Sequence, residues 1–169
     1  MPLYDVEYVC SISEETMATL AQAITECHAN RFATPKFFIN VRFTDASGQV
    51  VFRGGKPKKY NRIILRTRAS NQRSNDLYNE HCRDIMRIWD EVVGNDKDTA
   101  LRTVWVMGAL TTAVEAGIER PKVGGELQWL KDHREEFRTR ADDGDEEMQA
   151  LMHELATRPE FAGINDAGE

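Results

Sequence analysis

The 169-residue sequence predicts an α/β (α+β) fold in which two βαβ units share one four-stranded sheet and two helices cover one face of that sheet. Two observations carry this. The order strand, helix, strand occurs twice, and the two starts lie about 60 residues apart. The helical segments each show a single apolar stripe, whereas the strand segments alternate with period two. No residue identity marks the repeat; only the order and length of the elements do. Right-handed βαβ units of this size place both helices on the same side of the sheet and leave the other side bare. A single domain does not expose a whole sheet face, so three or more subunits packing sheet to sheet are expected.

The first strand lies within Met1–Val9, where Tyr4, Val6 and Tyr8 recur on the side of Pro2. Ser11 or Ser13 can cap the helix that follows, with Glu14 and Glu15 in its first turn. Met17, Leu20, Ala21, Ile24, Cys27 and His28 form its stripe, and it should end near Arg31, before Pro35. Lys36–Asp45 alternates as a strand, with Phe37, Ile39, Val41 and Phe43 on one side. Ser47-Gly48 turns into a short strand, Gln49–Arg53, which Gly54-Gly55-Lys56-Pro57 breaks. The second unit runs from a strand at Tyr60–Ala69 through a helix capped by Ser74 to a strand at Leu101–Leu110. The stripe of that helix is Leu77, Tyr78, Cys82, Ile85, Ile88, Trp89 and Val92, and Gly94-Asn95 supplies its stop.

Residues 1–125 thus read as the α/β domain and 126–169 as a C-terminal helical extension with an acidic tail. Thr111–Arg120 is expected to be a short connection and Pro121–Gly125 a loop. Leu127, Leu130 and Phe137 suggest one surface helix, and Met148, Leu151, Met152 and Leu155 another. The last ten residues are expected to fray.

Composition narrows the function. Hydrophobic residues make up 41% and charged ones 30%, as in ordinary globular proteins, and no apolar run approaches a membrane span. The net charge of −6 argues against nucleic acid or an anionic membrane as partner. Cys10, Cys27 and Cys82 have no metal-ligand spacing and read as reduced thiols of a cytoplasmic protein. Zinc, Walker-type and dinucleotide patterns are absent, so no cofactor or metal is expected. The charge is uneven: Lys56, Lys58, Lys59, Arg62, Arg66, Arg68 and Arg73 fall between Gly54 and Asn75 with no acid among them.

Six residues could carry chemistry. A small residue in second place normally lets the initiator methionine be trimmed, which would make Pro2 a secondary-amine terminus held by a strand. An α-amino group titrates near roughly 8 and lower beside cations, so such an amine suits acid–base work. Met-Pro is also a common, chemically silent way to begin a chain. His28 at the end of an apolar stripe is a ligand or base in some settings and a packed side chain in most. Arg66, Arg68 and Arg73 suit a carboxylate, which arginine grips in a bidentate fork, or form a solvated strand face. Glu115 by itself is a surface glutamate.

Met1-Pro2-Leu3-Tyr4, Ala23-Ile24-Thr25-Glu26-Cys27-His28, Arg73-Ser74, Val104-Trp105-Val106 and Val114-Glu115-Ala116-Gly117 together resemble the tautomerase superfamily, in particular the branch of cis-3-chloroacrylic acid dehalogenase. The resemblance runs from Pro2 to about Trp129 and implies a tautomerase-like fold, two βαβ units in a four-stranded mixed sheet, assembled as a homotrimer. It implies Pro2 as the catalytic proline, His28 as the active-site histidine, Arg73 as one of two substrate arginines and Glu115 as the water-activating base. Two positions depart from the dehalogenase pattern. Ser70 stands where that branch has its other arginine, and Met107 where it has a tyrosine. Arg68 is near enough in sequence to restore the missing charge.

Hydration or dehalogenation needs a cationic proline, a glutamate base and two arginines drawing charge onto the carboxylate. Keto–enol tautomerisation needs a neutral amine and one or two anion donors. The departures hurt the first chemistry more, so the expected function is tautomerisation of small 2-oxo acids such as phenylpyruvate. The alternatives are a hydratase, dehalogenase or decarboxylase of small unsaturated or 3-oxo acids, and a non-catalytic trimer that binds another protein.

Overall fold

In the computed structural model the described residues are 2–68, 73–108, 113–115, 117–119, 121 and 124–165; the side chains of Glu115 and Asn165 fall outside this description. Strands β1 (Leu3–Tyr8), β2 (Asn40–Asp45), β5 (Asn61–Arg66) and β6 (Leu101–Met107) form one sheet in the order β2-β1-β5-β6. β1 pairs parallel to β2 and antiparallel to β5, and β5 pairs parallel to β6. The expected mixed sheet of two βαβ units is therefore present. Helices α1 (Glu14–Phe32) and α2 (Asn75–Val92) pack on one face of it. Ser13 caps α1 and Ser74 caps α2, each accepting a backbone N–H from the first turn. Ala33 closes α1 in the left-handed region at φ 46°, and Gly94 at φ 114° follows α2.

The core between helices and sheet is built by the predicted stripes: Leu20 and Ile24 from α1, Ile85 and Trp89 from α2, and Tyr4, Val6, Ile63 and Leu65 from the central strands, all fully buried. Each such aliphatic side chain stabilises the fold by roughly 1.5–3 kcal/mol. The opposite face presents Asp5, Arg42, Arg66, Ile64, Trp105 and Met107. There Asp5, 2% exposed, accepts from Arg42 Nε through Oδ1 and from Arg66 Nε through Oδ2, each at 2.7 Å. Trp105 is 45% exposed and Met107 41%.

Several boundaries differ from the sequence reading, each for a packing reason. Lys36–Phe38 is a 3₁₀ turn rather than the start of β2, because Phe37 and Phe38 join the C-terminal helices while Ile39, Val41 and Phe43 pack against the sheet core. The strand expected at Gln49–Arg53 shrinks to β3 (Phe52–Arg53), paired with β4 (Lys56–Pro57) across Gly54 and Gly55, both at positive φ. Within the expected connection 111–120, β7 (Val114–Glu115) pairs with β8 (Ile118–Glu119). The three cysteines are free but only half-buried.

The extension is a packed layer and not a pair of surface helices. It comprises α3 (Glu126–Asp132), α4 (Arg134–Asp142), α5 (Glu146–Thr157) and α6 (Ala162–Asn165). One helix was expected over Leu127–Phe137; the backbone breaks at His133, where Trp129 and Phe137 both turn inward. The expected fraying of the last ten residues does not hold over Glu160–Asn165, because Phe161 and Ile164 bury beside Leu130, Phe137 and Leu151; residues 166–169 lie outside the described residues. The layer docks on the end of α1. Arg158 Nη2 donates to Ala29 O at 3.0 Å and Nη1 to Thr34 O at 3.2 Å, and Lys36 N donates to Glu154 Oε2 at 2.9 Å. Among the described residues, no helix is long and apolar enough to cross a membrane.

Candidate active site

Pro2 is buried at the head of β1, where its carbonyl accepts from Asn40 N at 3.0 Å. Strand alternation puts Pro2 and Tyr4 on the helix-covered side. There Tyr4 meets His28, which the 3.6-residue period of α1 brings to the same side as Leu20 and Ile24. The Tyr4 hydroxyl lies 2.6 Å from His28 Nδ1 and 2.6 Å from His81 Nε2, and all three side chains are 0–1% exposed. His81 reaches the cluster from the buried side of α2.

Phe32, one turn beyond His28, joins this cluster to Arg73. Its ring centroid is 4.6 Å from that of His28 and 4.9 Å from that of His81. The guanidinium carbon of Arg73 sits over the same ring at 4.6 Å, a cation–π contact. His28 and Arg73, 45 positions apart in the chain, thus share one aromatic support.

Burial sets the charge states. The His28 imidazole is pushed down to about 2, first by burial and then by His81, Arg73 and the chain's amino terminus. His81 is pushed down to about 4, first by burial and then by Arg31 and Arg73, with Asp84 opposing. The Tyr4 phenol is held well above its usual range by burial, reinforced by Cys27, Cys82 and Tyr78. At neutral pH all three are uncharged, and Arg73 is a fixed positive charge that acts on both imidazoles.

Arg73 also lines a cleft of about 990 Å³ at the free edge of β6. Tyr78 and Cys82 of α2 form one wall, and Trp105 and Met107 of β6 another. The cleft combines apolar walls with the guanidinium groups of Arg66, Arg68 and Arg73, which suits a small organic anion. Arg68 lines it too, but its Nη2 donates to Glu126 Oε1 at 2.7 Å and its Nη1 to Pro121 O. Arg66, the third member of the run, is spent on Asp5. Met107 ends β6 opposite Arg66. Glu115 lies on β7 opposite Ile118, its side chain outside the described residues, as is the whole of Ser70.

The structure therefore places Arg73 and the amino terminus within electrostatic reach of His28 and turns Arg68 toward the extension, while Pro2 and His28 are buried and are not among the residues that line the cleft. Sequence reasoning missed Tyr4, Phe32 and His81 as members of this cluster. The signal for His81 was present: it falls between Leu77 and Ile85 at i+4 and i−4, a polar residue in the middle of an apolar stripe.

The fold is shared with solved structures. A member of the cis-3-chloroacrylic acid dehalogenase (cis-CaaD) family, N1, superposes with a TM-score of 0.64 at 20% identity, covering 88% of this chain and 99% of that one. A wild-type fused 4-OT solved as an asymmetric trimer gives 0.55 at 17% identity, covering 73% and 98%. MIF2 of Leishmania major gives 0.52 at 12%, covering 71% and 97%. Comparison with curated protein sequences found no match. The tautomerase family model described as "Putative oxalocrotonate tautomerase enzyme" matches residues 1–134, and the chain belongs to that family.

Proposed function

We propose that this protein is a cofactor-independent keto–enol tautomerase of small 2-oxo acids, working as a homotrimer with the Pro2 amine as its acid–base group. The observation that carries this reading is the commitment of Arg68 to Glu126 and of Arg66 to Asp5, which leaves Arg73 as the one of the three arginines lining the cleft that rests on a ring rather than on a carboxylate among the described residues. One arginine holds a carboxylate; the hydration of an unsaturated acid asks for a second to draw charge out of the double bond. In the tautomerase, Arg73 grips the substrate carboxylate. The neutral amine of Pro2 takes a proton from C3, the C–H electron pair becomes the C2–C3 double bond, and the C2 oxygen takes up the charge and then a proton. His28, neutral and held by Tyr4, faces that oxygen as a hydrogen-bonding group.

The trimer is supported by the bare sheet face. Trp105 and Met107 stand exposed on β6, which is an edge strand of the sheet among the described residues. A neighbouring copy would cover both.

The test is to assay phenylpyruvate tautomerisation and 3-chloroacrylate hydration side by side, on protein whose first residue has been checked by mass spectrometry. Protein beginning at Pro2 should tautomerise. Protein with Met1 retained should lose nearly all activity with its fold intact, because an acylated proline has no basic lone pair, and so should Pro2→Ala, which replaces the rigid secondary amine with a primary one. Glu115→Gln should leave tautomerisation almost unchanged, since no water is activated there. Strong hydration that Glu115→Gln abolishes would transfer the assignment to a hydratase or dehalogenase.

A further inference from the structure

The cluster around His28 continues past the residues the mechanism uses. Beyond Tyr4, His81 turns its Nδ1 toward Cys27 Sγ at 3.7 Å, so that Cys27, His81, Tyr4 and His28 form one line of hydrogen-bonding atoms. The two imidazole planes are 82° apart with centroids at 5.5 Å, so the rings do not stack, and hydrogen bonds join them through the Tyr4 oxygen. A neutral imidazole has one N–H and one bare nitrogen, and a phenol has one proton to give. Because the fully buried Tyr4 hydroxyl must give its proton to one of its two imidazole partners, the direction of any one link fixes the direction of all the others.

Two directions exist. In one, the Cys27 thiol donates to His81 Nδ1, His81 Nε2–H donates to the Tyr4 oxygen, and Tyr4 O–H donates to His28 Nδ1. In the other, every donor and acceptor is reversed, and His81 Nδ1–H points at a thiol sulfur, a weak acceptor. Burial pushes the Cys27 thiol up, so it keeps its proton at neutral pH and is available as the donor the first direction requires. The first direction is the better satisfied, and it leaves the His28 proton on Nε2.

We propose that His81 is a positioning residue that, acting through Tyr4, fixes His28 as the tautomer with its proton on Nε2, so that the imidazole offers substrate a hydrogen-bond donor and not a base. This deepens the tautomerase reading, on which its kinetic consequence rests. A neutral N–H donor stabilises the oxygen at C2 as charge gathers there, while a bare Nε2 would repel it. It also leaves Pro2 as the base of the site.

The experiment is long-range ¹H–¹⁵N NMR of the full-length, histidine-labelled protein at neutral pH, which reads the protonation and tautomer of each ring whether or not any substrate is turned over. His28 and His81 should both be neutral with the proton on Nε2. His28 found protonated on Nδ1, or as an imidazolium, would overturn the proposal. In His81→Phe the Tyr4 hydroxyl loses its donor, its two orientations toward His28 become comparable, and His28 should appear as a mixture of tautomers. His81→Gln, whose amide can donate to Tyr4 and accept from Cys27, should restore the single Nε2–H form. Tautomerase kcat should fall about tenfold in His81→Phe and recover in His81→Gln with little change in KM, the size expected for one weakened neutral hydrogen bond. A His81→Phe protein whose His28 remains purely Nε2–H would show that His81 does not set the tautomer. If the wild-type spectrum is as expected but no 2-oxo acid is turned over, the reaction assignment fails and the line of hydrogen bonds stands.

Discussion

Arg68 and Glu126 are closed on one another, Nη2 to Oε1 at 2.7 Å, with side chains only 14% and 22% exposed. The pair ties the end of β5 to the first turn of α3, and Glu126 Oε2 also accepts the Gly124 N–H at 2.6 Å. The arginine that could have served as a second anion holder is thereby neutralised by the extension.

Glu126→Gln should release it. Exposed ion pairs contribute about 0–1 kcal/mol, and breaking a buried one costs about 3–5 kcal/mol. For this half-buried pair a loss of about 1–2 kcal/mol is expected, lowering Tm by about 3–6 °C. The freed guanidinium should lower KM for a 2-oxo acid and raise any hydration activity relative to tautomerisation. A lower Tm with both activities unmoved would mean that Arg68 cannot reach the anion.

Arg73→Ala removes the cation held over Phe32. Turnover of any carboxylate substrate should weaken by more than the roughly 1.5–3 kcal/mol of one charge-assisted hydrogen bond. The excess arises because a cation near the terminus also favours the neutral amine. Equal kcat/KM for a 2-oxo acid and for its uncharged ester in the wild type would contradict this role.

Trp105→Glu tests the assembly. A carboxylate placed at the centre of an apolar contact carries a desolvation cost that the contact cannot offset. The variant should sediment near the mass of one chain, while the wild type sediments near three. An unassociated wild type at micromolar concentration would remove both the trimer and the reason for the bare sheet face.

What the sequence made legible was periodic. Alternation in β1 and β5 and the stripes of α1 and α2 depend on neighbours within a few residues, so the sheet, its two helices and the buried position of His28 could be read directly. What it hid was partnership across long separations. Arg62, Arg66 and Arg68 look like a run of free cations because no acid lies nearby in the chain. In the fold Glu7 and Asp5 of β1 take the first two, and Glu126 takes the third. Phe37 fits the alternation of β2, yet it and Phe38 leave that strand for a second core whose other members begin at Ile118. Helix amphipathicity reports which residues are buried and not what they are buried against, which is why α4, α5 and α6 read as surface helices and tail.

The last prediction concerns pH and follows from the two buried imidazoles. Unfolded, His28 and His81 titrate near roughly 6.5. Folded, His28 is pushed down to about 2 and His81 to about 4. Between about pH 6.5 and 4 the unfolded chain therefore binds protons that the native chain does not. Stability is complete above the unfolded value and declines as pH falls through that window, with a limiting slope of about 1.4 kcal/mol per pH unit for each ring. Both rings together approach about 2.8 kcal/mol per unit only in the lower part of the window, so about 3 kcal/mol is lost between pH 6.5 and 5. The aspartates with lowered values, Asp45, Asp84, Asp96 and Asp145, act below their own unfolded range, so they contribute little in this interval. Urea unfolding at pH 7 and pH 5, at one fixed protein concentration, should show this fall in the wild type. His81→Gln keeps a donor to Tyr4 but no longer titrates, so its fall between the same two pH values should be about half as large. An undiminished slope in His81→Gln would mean that His81 is charged or solvated in the native state, and that some other group drives the acid sensitivity.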